Sequence, residues 1–487
     1  MAQADGVQAD RVYVESFLAE ELGNSAYLIV SRETGEAALI DPLRDIEQYL
    51  ARAEALGARI TLALETHIHN DFISGAREVV RETGAQLVAS ASAELEYPYQ
   101  ALGDGDTLML GGWGLRAVAS PGHTPEHVSY LLLDGQGQPH TLFSGGSLMV
   151  GGIARPDLLG PQHTAALARA AYETAHDRLL ILPDEVNVYP THGAGSFCGA
   201  GGANGDGGRT STIGQERRFN PLLRATTYQQ FLSRYLQLSA YPAYYQRMRP
   251  LNRRGAPLLG RSLPPLRPLT PEQVADATRA GAVVVDARLF EQYDAAHIPY
   301  SLSVPIDGPL SAWVGWLLAL ETPLVLLAAT LDDAREAQRE LLRIGFDNIL
   351  GTLEGGIEAW RTAGYSTRSG TPITTAAVAA ALTAGQEIAI VDSRDLEEWA
   401  AGHIPGAVWA PVAEIQERAR QLSPDAPTAV HCAHGYRSSI AGSVLERAGF
   451  TQVLHVTDGY DEWRRAWSAE ADGHMHEHPH EHPHEHA

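Results

Sequence analysis

The chain has 487 residues, enough for about three domains of ordinary size. Its formal charge of −23, from 36 basic and 59 acidic residues, argues against nucleic acid as a partner, because phosphate contacts need basic patches. With 44% hydrophobic residues and two cysteines, Cys198 and Cys432, it reads as a globular protein of a reducing compartment, not a disulfide-stapled secreted one.

Residues 1–10 are mostly polar, with no charged-then-apolar leader, so the expected location is the cytoplasm. The nearest approach to a membrane span, Trp313 to Thr330, is broken by Glu321-Thr322-Pro323 into a helix end and a buried strand, and no membrane association is expected. The apolar run Ile60 to Leu64 predicts a buried strand that empties into His67-Ile68-His69-Asn70-Asp71. Two imidazoles and a carboxylate at alternate positions on such a turn can converge on one metal ion. His123, in Ser120-Pro121-Gly122-His123-Thr124, and His192, in Tyr189-Pro190-Thr191-His192-Gly193, follow further strand-like runs and extend the candidate set. Asp71 is read as a ligand or as an acceptor that orients a histidine, and His192 is likewise open between ligand and supporting group. Cys198 reads as a small buried hydrophobe or a substrate contact.

Beyond the glycine-rich loop 199–208, a helix is expected near Tyr228 to Leu238, and a Pro/Arg-rich stretch, 249–268, reads as a linker. Then a pattern occurs twice. Val284-Val285-Asp286-Ala287-Arg288 parallels Ile390-Val391-Asp392-Ser393-Arg394, Ala296-His297-Ile298-Pro299 parallels Gly402-His403-Ile404-Pro405, and Gly355-Gly356-Ile357-Glu358-Ala359-Trp360 parallels Asp458-Gly459-Tyr460-Asp461-Glu462-Trp463. The copies differ at one loop. After the strand Leu324 to Leu327 the first copy reads Ala328-Ala329-Thr330-Leu331-Asp332-Asp333, whereas the second carries His431-Cys432-Ala433-His434-Gly435-Tyr436-Arg437-Ser438-Ser439 between a strand and a helix. Backbone N–H groups, a helix N-terminus and Arg437 would favour a nucleophilic thiolate at Cys432. The first copy has no nucleophile and reads as a structural or docking domain. The division expected is 1–248, the linker 249–268, repeat copies 269–368 and 369–469, and a low-complexity His-rich tail, 470–487, read as a metal-capture segment or an inert extension.

The histidine motifs, with Pro121-Gly122-His123-Thr124-Pro125-Glu126-His127, Ala154-Arg155-Pro156-Asp157-Leu158 and Thr191-His192-Gly193-Ala194-Gly195-Ser196-Phe197-Cys198, resemble the metallo-β-lactamase superfamily and within it the persulfide dioxygenases fused to rhodanese domains. The repeated pattern and the Cys432 loop resemble rhodanese sulfurtransferases. The fold implied is α/β, an N-terminal metallo-β-lactamase αββα sandwich followed by two rhodanese-like α/β domains with parallel sheets. The resemblance implies one Fe(II) per chain, with zinc as the alternative metal, held from among His67, His69, His123, Asp71 and His192. It implies persulfide contact at Arg155, catalysis at Cys432 and Arg437, and substrate contacts at His434, Gly435, Tyr436 and Ser438.

Two departures stand out. Phe72 occupies the place of a histidine that binds a second metal in the hydrolases, and Gly146 stands where the dioxygenases have an aspartate ligand. Three arrangements stay open: His69 as third nitrogen ligand, water in the vacant position, or no metal. The activity implied is oxidation of low-molecular-weight thiol persulfides by O2 to sulfite, with sulfane sulfur moved through Cys432 to or from sulfite or thiosulfate. The alternatives are a metal-dependent thioesterase or hydrolase of the glyoxalase II type and a non-oxidative persulfide carrier. Homo-oligomerisation is left open.

Overall fold

The computed structural model describes residues 11–200 and 208–465. The tail 470–487 and residues 201–207 of the glycine-rich loop lie outside them. The chain divides into two compact units, Met1–Pro265 with Val314–Glu321 and Arg339–Asp347, and Leu266–Trp313 with Thr322–Gln338 and Asn348–Ala487.

In the first unit, strands β1 (Val12–Ala19), β2 (Asn24–Ser31), β3 (Glu36–Ile40), β4 (Arg59–Leu64), β5 (Gln86–Ser90) and β6 (Gln100–Leu102) form one sheet in that order. A second sheet uses β7 (Thr107–Leu110), β8 (Trp113–Ala119), β9 (Val128–Leu133), β10 (Pro139–Gly145), β12 (Asn187–Pro190) and β14 (Ser211–Thr212), ordered β14-β12-β10-β9-β8-β7; β11 (Ile153–Ala154) and β13 (Gly199–Ala200) make a small ribbon. Tyr27, Ile40, Leu64, Leu115, Tyr130 and Phe143 fill the space between the sheets. The outer face of the first sheet packs on helices Glu47–Ala55 and Ala76–Thr83, and that of the second on Pro161–Glu173 and Tyr228–Tyr235. Covered on both faces, β2 and β9 are buried at every position, which is why their sequences run apolar without alternation. This is the αββα sandwich. Its strands β4, β8, β10 and β12 lead directly into the turns that carry His67, His123, Gly146 and His192.

The segment read as linker begins inside a helix, Tyr245–Arg254, with Pro250 in its interior. Side-chain anchoring accounts for this. Arg249 forks the buried Glu126 carboxylate at 2.8 Å through both nitrogens, and Asn252 Nδ2 donates to the carbonyls of His69 and Phe72 at 2.9 and 2.8 Å. The helix thereby clamps the His67–Asp71 turn and offsets the backbone hydrogen bond that proline cannot make.

The second unit holds two five-stranded sheets. Strands β15 (Pro268–Leu269), β16 (Val283–Asp286), β17 (Leu302–Ser303), β18 (Leu324–Leu327) and β19 (Ile349–Leu353) are ordered β15-β19-β18-β16-β17; β20 (Thr371–Ile373), β21 (Ala389–Asp392), β22 (Val408–Trp409), β23 (Thr428–His431) and β24 (Val453–Val456) are ordered β20-β24-β23-β21-β22. All pairings in both are parallel, and the two orders are the same permutation, so the sequence repeat is a structural repeat. The repeated Asp-x-Arg is a clip. Arg288 forks Asp286 and reaches the Ala296 carbonyl at 2.8 Å, while Arg394 forks Asp392 and reaches the Gly402 carbonyl at 2.8 Å, fixing the turn before His297 or His403. Among the described residues no helix is long and apolar enough to cross a membrane.

Part of the first sequence repeat, Arg339–Asp347, belongs to the first unit for an electrostatic reason. Arg343 is buried, with Asp45 accepting at 2.9 and 2.6 Å and Glu21 at 2.6 Å. Burial disfavours its charge, but these carboxylates outweigh that and raise its pKa. Arg343→Met would leave two acids without their cation, and should destabilise this unit by about 3–5 kcal/mol, read as a lower urea midpoint for its transition. An unchanged midpoint would show that the ion cluster contributes nothing.

Candidate metal centre and sulfur-transfer loop

The turn after β4 and the turns after β8 and β12 bring His67, His123 and His192 together, all buried. The hydrogen bonds of their Nδ1 atoms fix the tautomers. His123 Nδ1–H donates to the Arg155 carbonyl at 2.7 Å, leaving Nε2 unprotonated and without a hydrogen-bond partner. His192 Nδ1–H donates to Asn24 Oδ1 at 2.9 Å, while Asn24 Nδ2 donates to Asp71 Oδ2 at 2.6 Å. Thr66 Oγ1 gives its proton to Asp41 Oδ2 at 2.7 Å and so accepts from His67 Nδ1–H at 2.9 Å. The Nε2 atoms of the three rings are therefore left to face one another. His67 Nε2 and His192 Nε2 lie 3.2 Å apart. Metal–nitrogen bonds of about 2.0–2.1 Å at a tetrahedral angle span about 3.3 Å, so the spacing fits a bound metal.

Burial and the neighbouring imidazoles pull His67 well below the usual histidine range and His123 down to about 3, both in the neutral form a metal requires. His127 behaves similarly, lowered to about 3 by burial and His123; its Nε2 accepts from Gly146 N–H at 2.9 Å. His69 goes the other way. Burial opposes its charge, but Asp41 Oδ1 at 3.3 Å and Glu65 Oε2 at 3.1 Å outweigh that and raise it to about 10. The same ring also lies within ligating distance of Asp41 and His67, and of Asp71 and His192. Phe72 stacks on the His69 ring, centroids 4.2 Å apart. Asp71, despite burial, is held ionised by His192 and Asn24, and its Oδ2 lies 3.4 Å from His192 Nδ1.

A Cβ at Gly146 would lie 2.9 Å from His123 Cδ2, 2.9 Å from Ala154 Cβ and 3.1 Å from His192 Cδ2, so neighbouring side chains already fill the place of a side chain there. Arg155 is buried, its fork on Asp157 at 2.7 and 2.8 Å and its guanidinium 4.7 Å from the Tyr241 ring centroid. Cys198 is buried, and burial followed by the Asp71 charge pushes its thiol well above the ordinary range. That is the state of an unreactive thiol.

In the second unit, Cys432 follows β23, and the helix Tyr436–Arg447 begins four residues later. Gly435 N–H donates to Cys432 Sγ at 3.2 Å and the thiol donates to Ser438 Oγ at 3.5 Å. Arg437 is shared between Asp395 at 3.0 Å and Glu398 at 2.5 and 2.9 Å, so its charge is more than balanced. What the loop offers an anion is its backbone N–H groups. His434 is exposed. In the first copy the same helix start is closed by its own side chains: Asp333 Oδ2 accepts from Thr330 N–H and Oγ1–H at 3.1 and 2.7 Å, and Thr330 Oγ1 accepts from Asp333 N–H at 3.1 Å.

The profile of the metallo-beta-lactamase superfamily matches residues 19–192, and that of the rhodanese-like domain matches 270–363 and 374–466. The chain is similar to the human mitochondrial persulfide dioxygenase ETHE1, 33% identical over 205 residues, covering 40% of this chain and 70% of the relative. A hydroxyacylglutathione hydrolase of Nitrosococcus oceani is 36% identical over 172 residues, covering 35% of this chain and 62% of that protein. A crystal structure of a metallo-beta-lactamase from Staphylococcus aureus subsp. aureus COL matches 71% of this chain and 99% of its own, with 29% identity and a TM-score of 0.62. The chain belongs to the metallo-β-lactamase superfamily, as a persulfide dioxygenase-like member fused to tandem rhodanese-like domains.

Within this superfamily member the sequence motifs located every histidine of the cluster. They did not reveal Asn24, which engages His192 from 168 positions away, or Asp41 and Glu65, which engage His69 from 28 and 4 positions before it, nor Asn252 on the clamping helix. Gly146→Ala tests how full the site is. The added methyl should cost about 1–3 kcal/mol of stability in the metal-free protein by overpacking, measured by urea denaturation, and should weaken metal binding in a competition titration. A variant indistinguishable from the parent would show that the turn yields freely.

Proposed function

We propose that the chain is a sulfide-detoxification enzyme that oxidises low-molecular-weight thiol persulfides at a mononuclear iron and moves sulfane sulfur through Cys432. The observation that carries this reading is the convergence of three ring Nε2 atoms, at His67, His123 and His192, in a chain that also has a nucleophilic-type Cys432 loop. In this reading those three rings hold the iron, and Asp71 acts through Asn24 on His192. His69 belongs to the Asp41 and Glu65 charges. The iron would supply a site where persulfide sulfur and O2 meet. The chain's own groups keep the three rings neutral and oriented and exclude water by burial. The overall change is RSSH + O2 + H2O → RSH + SO3²⁻ + 2 H⁺. At Cys432 the thiolate would take the outer sulfur of a persulfide and release the thiolate RS⁻; sulfite would then take that sulfur as thiosulfate and restore the cysteine thiolate. Arg155 and residues Gly435, Tyr436 and Ser438 would shape the two substrate sites, His434 would lie at the mouth of the second, and Arg437 would brace its loop.

The domain division proposed is that of the sequence, 1–248, 269–368 and 369–469 joined through 249–268, in a cytoplasmic protein. Placing both sites in one chain raises the local concentration of their shared sulfur species. A glyoxalase II-type thioesterase is the second reading, favoured by the similarity to hydroxyacylglutathione hydrolase. Against it, Phe72 stands where a second metal's histidine would be, and Gly146 offers no carboxylate.

Iron-loaded protein lacking 470–487, given a low-molecular-weight persulfide in air, should consume O2 and release an equal total of sulfite and thiosulfate. Thioester cleavage by the zinc-loaded protein with no oxygen uptake would replace this reading by the hydrolase, and metal-free protein isolated without the tail would favour the carrier.

Two variants divide the roles. His192→Ala should abolish stoichiometric iron binding, whereas His69→Ala should lower affinity by about ten- to a hundredfold, as loss of a supporting group does. Iron analysis of both checks this, and the reverse order would return His69 to the ligand set. Cys432→Ser should end sulfur transfer from persulfide to sulfite while leaving oxygen uptake intact; a persistent transfer rate would move that chemistry elsewhere.

A further inference from the structure

The first rhodanese-like copy has no nucleophile and a closed loop, yet its residues meet the active loop of the second copy within one compact unit. The helix Tyr436–Arg447 is buried from Ser438 to Glu446. Ser303, on β17 of the first copy, donates through its N–H to Ser443 Oγ at 3.1 Å and shares a hydrogen bond with Ser439 Oγ at 2.7 Å. These contacts hold the body of the helix. A separate group of contacts holds its first residues. Tyr436 O–H donates to the Pro305 carbonyl at 3.1 Å, and the Tyr436 ring lies so close to Gly308 that a Cβ there would be 2.4 Å from Cζ. The Phe290 ring covers Gly435, with Cζ 3.0 Å from where a Cβ would stand.

Gly435 and Tyr436 are the residues that set the sulfur cradle. Gly435 has φ of 93° and is conformationally free by itself, and its N–H is the donor on Cys432 Sγ. Pinning the ring on one side of it and covering it on the other fixes where that N–H points. We propose that the first copy is the positioning half of the sulfur-transfer site: Pro305, Gly308 and Phe290 hold Tyr436 and Gly435 so that the Gly435 N–H stays on Cys432 Sγ. This rests on Cys432 being the sulfur carrier. Gly308, Pro305 and Phe290 are positioning residues. They touch the loop and none of the reacting atoms. The copy thus has a role although its own loop carries no cysteine, and at Gly308 a neighbour's ring occupies the space of a side chain.

A double-mutant cycle on the full chain tests this. Gly308→Ala drives a methyl into the Tyr436 ring. It should lower kcat for sulfur transfer from glutathione persulfide to sulfite by roughly ten- to a hundredfold, the effect of a small misplacement, with a smaller change in KM. It should also slow alkylation of Cys432 by iodoacetamide at pH 7, followed by peptide mass spectrometry, and leave oxygen uptake by the first unit unchanged. Tyr436→Phe, which keeps the ring and loses the hydrogen bond to Pro305, should shift both readouts in the same direction by less. In a Tyr436→Ala background, itself impaired, Gly308→Ala should add nothing, because the ring it displaces is gone. Parent-like rates in Gly308→Ala, or the same further loss in both backgrounds, would overturn the proposal. Absence of sulfane sulfur on Cys432 in the parent protein after persulfide treatment would instead defeat its role as carrier, and the alkylation cycle would still decide the positioning.

Discussion

Three ring nitrogens facing one another in a buried space are the constraint on which the first half of the chain depends. The Nε2 atoms of His67, His123 and His192 face inward because the opposite nitrogen of each ring donates its N–H to a fixed acceptor: Thr66 Oγ1, the Arg155 carbonyl and Asn24 Oδ1. Such an arrangement costs free energy when empty and is relieved by a cation, so metal binding and correct folding of these turns are linked. The sandwich supplies the geometry. Each histidine sits just beyond the end of a strand whose burial on both faces fixes its direction. Thr66 is the neighbour of His67 in its own turn, but Asn24 on β2 and Arg155 after β11 come from distant segments, so the site closes only when these have assembled.

His69 shows how burial and charge decide function among chemically identical groups. It lies two positions from His67 in sequence and 4.2 Å from it in ring separation, yet two carboxylates hold it as a cation while His67 is held neutral. Motif spacing alone treats the two as equals. The distinction depends on Asp41 and Glu65, which directly follow the neighbouring parallel strands β3 and β4. Phe72 adds to the separation by occupying the face of the His69 ring.

The fold was legible where local pattern determines it. The run Ile60 to Leu64 is strand β4, Leu324 to Leu327 is β18, and the helix expected near Tyr228 to Leu238 is found at Tyr228–Tyr235. The doubled Asp-x-Arg and His-Ile-Pro segments announced two copies of one sheet, and the structure shows the physical reason for the repeat, an arginine that ties its own aspartate to the following turn. What was not legible depends on pairings between distant segments. Pro250 and the arginines around it suggest a linker, but Arg249 and Asn252 find partners 123 and 183 positions away and the segment becomes a helical clamp. Arg343 closes the helix Leu331–Arg343 within the first repeat, which no local motif marks out; its partners Asp45 and Glu21 place it with the first unit. In the site, the candidate ligands were visible as motifs, and the carboxylates that engage His69 from Asp41 and Glu65 were not.

The two centres use opposite electrostatic means. The first unit concentrates lone pairs and waits for a cation. The Cys432 loop concentrates N–H donors and suits an anion, with Arg437 tied to Asp395 and Glu398 as a brace. The account stands or falls on the first. X-ray absorption spectroscopy of the iron-loaded protein without residues 470–487 tests it most directly. The account predicts a single iron whose scattering requires three imidazole rings. A metal–metal distance of about 3.5–4 Å, as in two-metal hydrolytic sites, or a shell with fewer imidazoles would contradict it.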